Sequence, residues 1–352
     1  MYVRSVFGGE HIVLMPSNPG LEEGKPPWRI LSELLSLLPS RDVDLVMGPS
    51  IGEDAAILRL GDGFLVVHAD PITTATSMIG WLAVHVSAND IAVRGVRPRW
   101  FVPVVMMPSG IDTDTMRKIF SDMGEALRTI GGTVIGGHTE ISPELSRPII
   151  AMTAIGYTRS RVIMTRDAQP GDKILVIGHI GGEGAAVIAS DFGKLLLSRG
   201  IDKRIINEAR KYIKKISVVE KALKIKDYVN AMHDPTEGGV LQALREIALA
   251  SGNDIIVDRN SFQVDDIVKI ISEALGLDPL KLLSSGTLIA TVPRKNLDKV
   301  MEILDEMGEK FSVVGDVVPG NGRLILRDHR RETVISEDII DEIYKVWKNN
   351  LF

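Results

Sequence analysis

Apolar residues at Ile30, Leu31, Leu34, Leu35 and Leu38 fall at helical spacing and predict a short amphipathic helix over Trp28–Leu38. Two apolar runs follow, Ala55–Leu60 and Phe64–Asp70, separated by Gly61-Asp62-Gly63, which is the pattern of a β-hairpin. Met78–Arg94 is apolar on most faces and predicts a buried helix. A strand at Trp100–Met107 comes next, then a helix at Asp112–Ile130 whose first residues offer caps, then strands at Val134–Ile141 and Pro148–Tyr157.

A second unit starts past Arg159. Pro170-Gly171-Asp172 is a turn into a strand at Lys173–Gly178, followed by a glycine-rich bend and a helix to about Leu197. Helices are predicted at Lys203–Lys215, Val218–Ile225, Gly238–Ala250, Val264–Leu275, Leu297–Met307 and Glu337–Trp347. Strands are predicted at Val229–His233, Asp254–Val257, Thr287–Val292 and Ser312–Val317. Hairpins mixed with helices make this an α+β chain rather than a doubly wound parallel sheet. At 352 residues two domains are expected. They are an arm and helix at 1–40, a first domain at 41–158 and a second at 159–352.

Composition narrows the chemistry. There is no cysteine, which removes disulfides, thiolate metal sites and cysteine nucleophiles. The net charge of −5 argues against nucleic acid or a membrane surface as the partner. Only Ile12–Met15 is apolar near the start, and no stretch reaches the ~18–20 apolar residues of a membrane span. A cytoplasmic protein is expected. Glutamine is confined to Gln169, Gln242 and Gln263, a weak sign of a thermophilic source.

Carboxylates carry the functional signal. With Asp62 central in a three-residue loop, Leu60 would face Phe64 and Asp54 would face Asp70, side chains about 5 Å apart. Such acids suit magnesium, which takes one or two carboxylates plus phosphate oxygens; each could equally cap a strand end in solvent. Asn89 and Asp90 sit on an apolar helix, where they need partners, and bonds to neighbouring backbone would serve. Gly136-Gly137-His138-Thr139-Glu140 could bring backbone close to a ligand or merely turn a corner. His233-Asp234-Pro235-Thr236-Glu237-Gly238-Gly239 opens a helix, so Asp234 or Thr236 could cap it, or the helix start could hold phosphate or a metal. Gly178–Gly184 resembles a phosphate bend but matches no nucleotide-binding spacing. No nucleophile triad and no zinc-hydrolase histidine pair is present.

Taken in order, Gly52-Glu53-Asp54-Ala55-Ala56, Ala69-Asp70-Pro71, Asn89-Asp90-Ile91-Ala92, Gly136–Glu140 and His233–Gly239 resemble a known superfamily. It contains AIR synthetase, thiamin-monophosphate kinase, selenophosphate synthetase and the hydrogenase-maturation protein HypE. The HypE branch fits best, especially archaeal HypE-like AIR synthase-related proteins. The resemblance implies an N-terminal domain that dimerises into a shared β-barrel and a C-terminal α/β domain covering ATP. It implies Asp54, Asp70, Asp90 and Asp234 near magnesium, and Glu53, Asn89 and Gly136–Glu140 near nucleotide. Asp234, His233 and Glu237 are then the candidates for catalysis. It also implies a homodimer, a small-molecule or amide substrate, and a maturation-protein partner as one option. HypE ends in a cysteine, has arginine where Glu237 stands and glutamate where Ser285 stands, so self-carbamoylation is not expected. The expected function is ATP- and magnesium-dependent phosphorylation or activation of a substrate oxygen. A small-molecule kinase and a non-catalytic nucleotide-binding partner are the alternatives.

Overall fold

A computed structural model describes residues 24–73, 78–329 and 331–350. The arm expected over residues 1–27 therefore lies outside the described residues as far as residue 23, as do Leu351 and Phe352. Among the described residues the chain forms two mixed sheets with helices packed on them, an α+β architecture in two domains.

The first sheet holds β1 (Leu45–Met47), β2 (Ala56–Leu60), β3 (Gly63–Ile72), β4 (Pro98–Pro108), β5 (Thr133–Val134), β6 (His138–Ser142) and β7 (Ile149–Thr158). Its order is β1-β2-β3-β7-β4, with β5 and β6 running parallel to β4 as two short pieces along it. Helices α1 (Trp28–Leu35), α2 (Ile79–Ala92) and α3 (Thr113–Ile130) accompany it. Every residue of α2 is buried, which explains its apolar pattern all round. It lies between the sheet and α3, and a side chain at Gly80 would strike the Ile119 carbonyl of α3. α3 is capped as its sequence suggests, the Asp112 carboxylate accepting the Thr115 N–H at 2.8 Å.

The second sheet runs β14-β13-β10-β12-β8-β11-β9. Its strands are β8 (Lys173–Ile177), β9 (Ala231–His233), β10 (Asp254–Asp258), β11 (Leu288–Val292), β12 (Phe311–Val318), β13 (Leu324–Asp328) and β14 (Arg331–Ile335). The helices are α4 (Gly182–Asp191), α5 (Gly193–Ser198), α6 (Lys203–Arg210), α7 (Val219–Ile225), α8 (Gly239–Ser251), α9 (Asp266–Leu275), α10 (Leu297–Glu306) and α11 (Ile343–Asn350). The domains are stitched together along α2. The Trp81 indole N–H donates to the Ile213 carbonyl at 2.8 Å, and the Arg94 carbonyl accepts the Ile163 N–H at 3.0 Å.

Several elements differ from expectation. The hairpin turns on two residues, not three: Leu60 pairs with Gly63 and Arg59 with Phe64. Gly61 takes φ +59°, the glycine-first pattern of a two-residue hairpin turn, so the register slips by one and Asp54 does not face Asp70 across it. The strand expected at Val134–Ile141 is broken, because Gly137 passes so close to Pro103 that a Cβ would sit 2.5 Å from its carbonyl oxygen. The last helix starts at Ile343 rather than Glu337. Gln242 accepts the Ile339 N–H at 2.9 Å and Arg245 binds the Ser336 carbonyl at 2.9 Å, which holds that stretch extended along α8.

Candidate functional site

The chain crosses from the first domain to the second around one buried cation. Arg94, just past the end of α2, is fully buried. Its guanidinium donates to Glu53 at 2.6 Å, Asp54 at 2.7 Å, the Thr165 hydroxyl at 2.9 Å and the Met232 carbonyl at 3.2 Å. Five donors in a fixed fork suit this arrangement as a lysine would not. Glu53 accepts further N–H bonds from Thr165 and Arg166, both at 3.1 Å. Its carboxylate thus ties the two domains together.

Asp54 has a different neighbour on its other side. His233, at the end of β9, places Nδ1 2.9 Å from the Asp54 carboxylate and Nε2 2.8 Å from Glu246 of α8. Burial works against the charged ring, but Asp54 and Glu246 outweigh it and raise His233 to about 10, so the ring is an imidazolium at neutral pH. Burial likewise opposes the Asp54 charge, yet His233 and Arg94 pull it down to about 2.

Past His233 the pairing stops. Asp234 is 1% exposed, and neither of its carboxylate oxygens has a hydrogen-bond partner among the described residues. Burial first, then the Asp54 charge, raise it to about 7. Asp90 of α2 is buried too; the His68 ring lies 3.3 Å from it, and burial followed by Asp234, Asp54 and Asp70 holds it well above the usual carboxylate range. Asp70 of β3 is raised as well, by burial first. Asp54, His233 and Asp234 bring ligand atoms within 4.8 Å of one another. With the His233 ring protonated, the carboxylates of Asp54 and Asp234 are the available donors of this group, and carboxylate oxygens fit magnesium. Asp54, Asp70, Asp90 and Asp234 lie near enough to act on one another's charge, brought there by loop and strand ends and not by hairpin pairing.

Other expected residues stand elsewhere. Asn89 donates to the Ile216 carbonyl at 2.8 Å and accepts the Val218 N–H at 2.9 Å, so both ends of its amide join the two domains. Gly136, Gly137, His138, Thr139 and Glu140 lie on the exposed border of β4, where His138 and Glu140 pair with each other at 3.1 Å. None of them makes a described contact with the buried acids. Glu237 accepts the Tyr344 hydroxyl and flanks the cleft beside Asp70. Neither Asp234 nor Thr236 caps α8 with its side chain; the Asp341 carboxylate takes the Gly238 N–H at 2.8 Å instead. The Gly178–Gly184 bend spends its amides internally, Gly181 N–H donating to the Ser284 hydroxyl at 2.8 Å and Gly184 N–H to the Leu283 carbonyl at 2.9 Å.

Arg94, His68 and Glu246 were missed by sequence reasoning. His68 could have been found, since it lies two residues from Asp70 on one face of β3. Arg94 reads as an ordinary basic helix end. Glu246 carries no local signal.

Comparison with known proteins agrees with this architecture. Residues 52–158 match the family model of the N-terminal domain of AIR synthase related proteins, and residues 169–327 match that of the C-terminal domain. The chain belongs to this family. It is 29% identical over 331 residues to a hydrogenase expression/formation protein of Methanocaldococcus jannaschii, covering 89% of this chain and 93% of that one. It is 26% identical to the thiamine-monophosphate kinase of Pyrococcus horikoshii over 80% of this chain and 88% of the kinase. A crystal structure of the hydrogenase maturation protein HypE in complex with ATP superposes with a TM-score of 0.66 at 24% identity, covering 82% of this chain and 90% of that one. Among the described residues no helix is long and apolar enough to cross a membrane.

Proposed function

We propose that this chain binds ATP with magnesium at the buried acids and uses it to phosphorylate or activate an oxygen of a small molecule or amide. The observation that carries the reading is Asp234, whose two buried oxygens lie near Asp54 and Asp90 with no hydrogen-bond partner among the described residues. Asp54, Asp70, Asp90 and Asp234 would hold magnesium, which offsets phosphate charge as it spreads in the transferring group. Arg94 and His233 fix Asp54 from two sides, so that the carboxylate is in place before ligand arrives. A HypE relative bound to ATP and a thiamine-monophosphate kinase among the relatives support nucleotide use. The same reading places the protein in the cytoplasm as a homodimer, with a maturation protein as its partner.

Thermal denaturation tests it. ATP with magnesium, at about a hundredfold excess over its dissociation constant, should stabilise the native state by about 2.7 kcal/mol. ATP without magnesium should give little, and Asp234→Asn should abolish most of the shift. An equal shift in the variant would remove Asp234 from the site. The kinase relative favours a second reading, direct transfer to an acceptor hydroxyl or phosphate. Phosphorus NMR of the products separates the two: ADP with a stable phosphoester marks the kinase, whereas ADP with free phosphate and a modified amide marks activation.

A further inference from the structure

Beside the buried acids, and sharing Asp70 with them, lies a cleft. It has a cavity volume of about 100 Å³, opens to solvent, and is walled by Leu82 and Val86 of α2, Val187 of α4, Leu283 and Ile343. Its polar end is acidic, lined by Asp70, Glu183 and Glu237. Glu183 stands in the first turn of α4 and is 6% exposed. Gly184 puts it there, because a side chain at that position would lie 2.3 Å from Leu282; without one, α4 settles onto the 282–285 segment and Glu183 accepts the Ser285 N–H at 3.0 Å.

Among the described residues no lysine, arginine or histidine forms an ion pair with Glu183, although it is nearly buried. Lys25 lines the same cleft, but the carboxylates that favour its charge are Glu246, Asp70, Glu237 and Asp54. Burial first, with Asp70 adding to it, raises the Glu183 carboxyl above its ordinary range. A buried carboxylate without a cation destabilises the fold that contains it. Here it also faces an open space whose far walls are apolar.

We propose that Glu183, steadied by Ser285, is the recognition end of an acceptor pocket for a small organic cation, an amine or guanidinium nitrogen on a short apolar body. This rests on the proposed phosphoryl-transfer reading for calling the ligand an acceptor. The nitrogen meets Glu183, the body lies against Val187 and Leu283, and Asp70 is where the pocket meets the magnesium acids.

Butylamine, butyramide and butyrate share a body and differ at one end, so the full chain is titrated with each and binding is followed by ligand-observed NMR. Butylamine should bind about tenfold more tightly than butyramide, and butyrate should not bind. Glu183→Gln should weaken butylamine about tenfold and leave butyramide unchanged, with the magnesium–ATP thermal shift intact. Glu183→Asp, which keeps the charge but shortens the reach, should fall between wild type and Glu183→Gln, and it serves if the glutamine variant does not fold. Butyrate binding as tightly as butylamine, or unchanged butylamine affinity in both variants, overturns the proposal. Loss of the magnesium–ATP shift in wild type with butylamine recognition retained would instead sink the nucleotide reading and leave Glu183 its cation.

Discussion

Asp254 and Asp234 both stand at the ends of short strands of the second sheet and are almost equally buried, at 2% and 1% exposure, yet their surroundings are opposite. Asp254 opens β10 and is fully engaged. It accepts the Asn321 N–H at 2.9 Å and the Arg323 N–H at 3.0 Å, with the Arg323 guanidinium on its other oxygen. Its bond to Arg323, with the two backbone bonds, lowers it to about 2. Asp234 follows β9, has no hydrogen-bond partner, and is raised to about 7 by burial and Asp54. The fold is able to satisfy a buried carboxylate and does so at Asp254. Leaving both Asp234 oxygens and one Asp90 oxygen without a hydrogen bond among the described residues lowers stability, and the arrangement has a physical reason once a divalent cation is supplied.

Arg94 stands where the two conditions meet, and removing it gives the largest expected effect. Arg94→Met leaves Glu53 and Asp54 buried without their cation, and breaking a buried pair on one side costs about 3–5 kcal/mol. Urea unfolding without magnesium checks this. A loss under 1 kcal/mol would mean that the acids tolerate burial unaided, and the contrast with Asp254 would lose its force.

Two single substitutions then sharpen the comparison directly. Asp254→Asn should destabilise the protein by about 1–3 kcal/mol, because the Arg323 bonds lose their charge. Asp234→Asn should leave stability unchanged or raise it in the absence of magnesium, since it removes a charge that nothing pairs. Opposite signs are the expected outcome of the same unfolding measurement. If both variants lose stability alike, Asp234 has a structural partner after all.

The sequence made the acids visible but not their wiring. Asp54, Asp70, Asp90 and Asp234 stand out because each breaks or ends an apolar run, and burial of α2 follows directly from its apolar faces. The hairpin was legible as an element, whereas its register depended on whether Gly61 and Asp62 alone could close it, a choice set by one positive φ. The break at Gly137 depends on Pro103, more than 30 positions earlier, and has no local signature. β14 escaped notice because Arg331-Glu332-Thr333 is polar on both faces and exposed. Asn89 was noticed for the right reason, an amide on an apolar helix, but its partners at Ile216 and Val218 lie in the other domain. Tertiary partners decide such cases, and spacing along the chain does not encode them.

The smallest effect is a pH dependence confined to the satisfied acid. The Asp254 carboxyl is near 2 in the folded chain and takes its ordinary value of 3.8 when unfolded. A depressed carboxylate contributes stability that is fully present above the unfolded value and is lost as pH falls through the folded one. The stability gap between wild type and Asp254→Asn should therefore be constant above about pH 5 and should narrow between about pH 4 and pH 2. The exposed half of the Arg323 side chain lets water and salt weaken the pair, so the narrowing should be shallower at high ionic strength. Unfolding curves of the two proteins at stepped pH measure it. A gap that persists unchanged to pH 2 would show that the asparagine variant fails by losing a hydrogen-bond acceptor for the Asn321 and Arg323 N–H groups and not by lost charge, and Asp254 would no longer be the charged counterpart of Asp234.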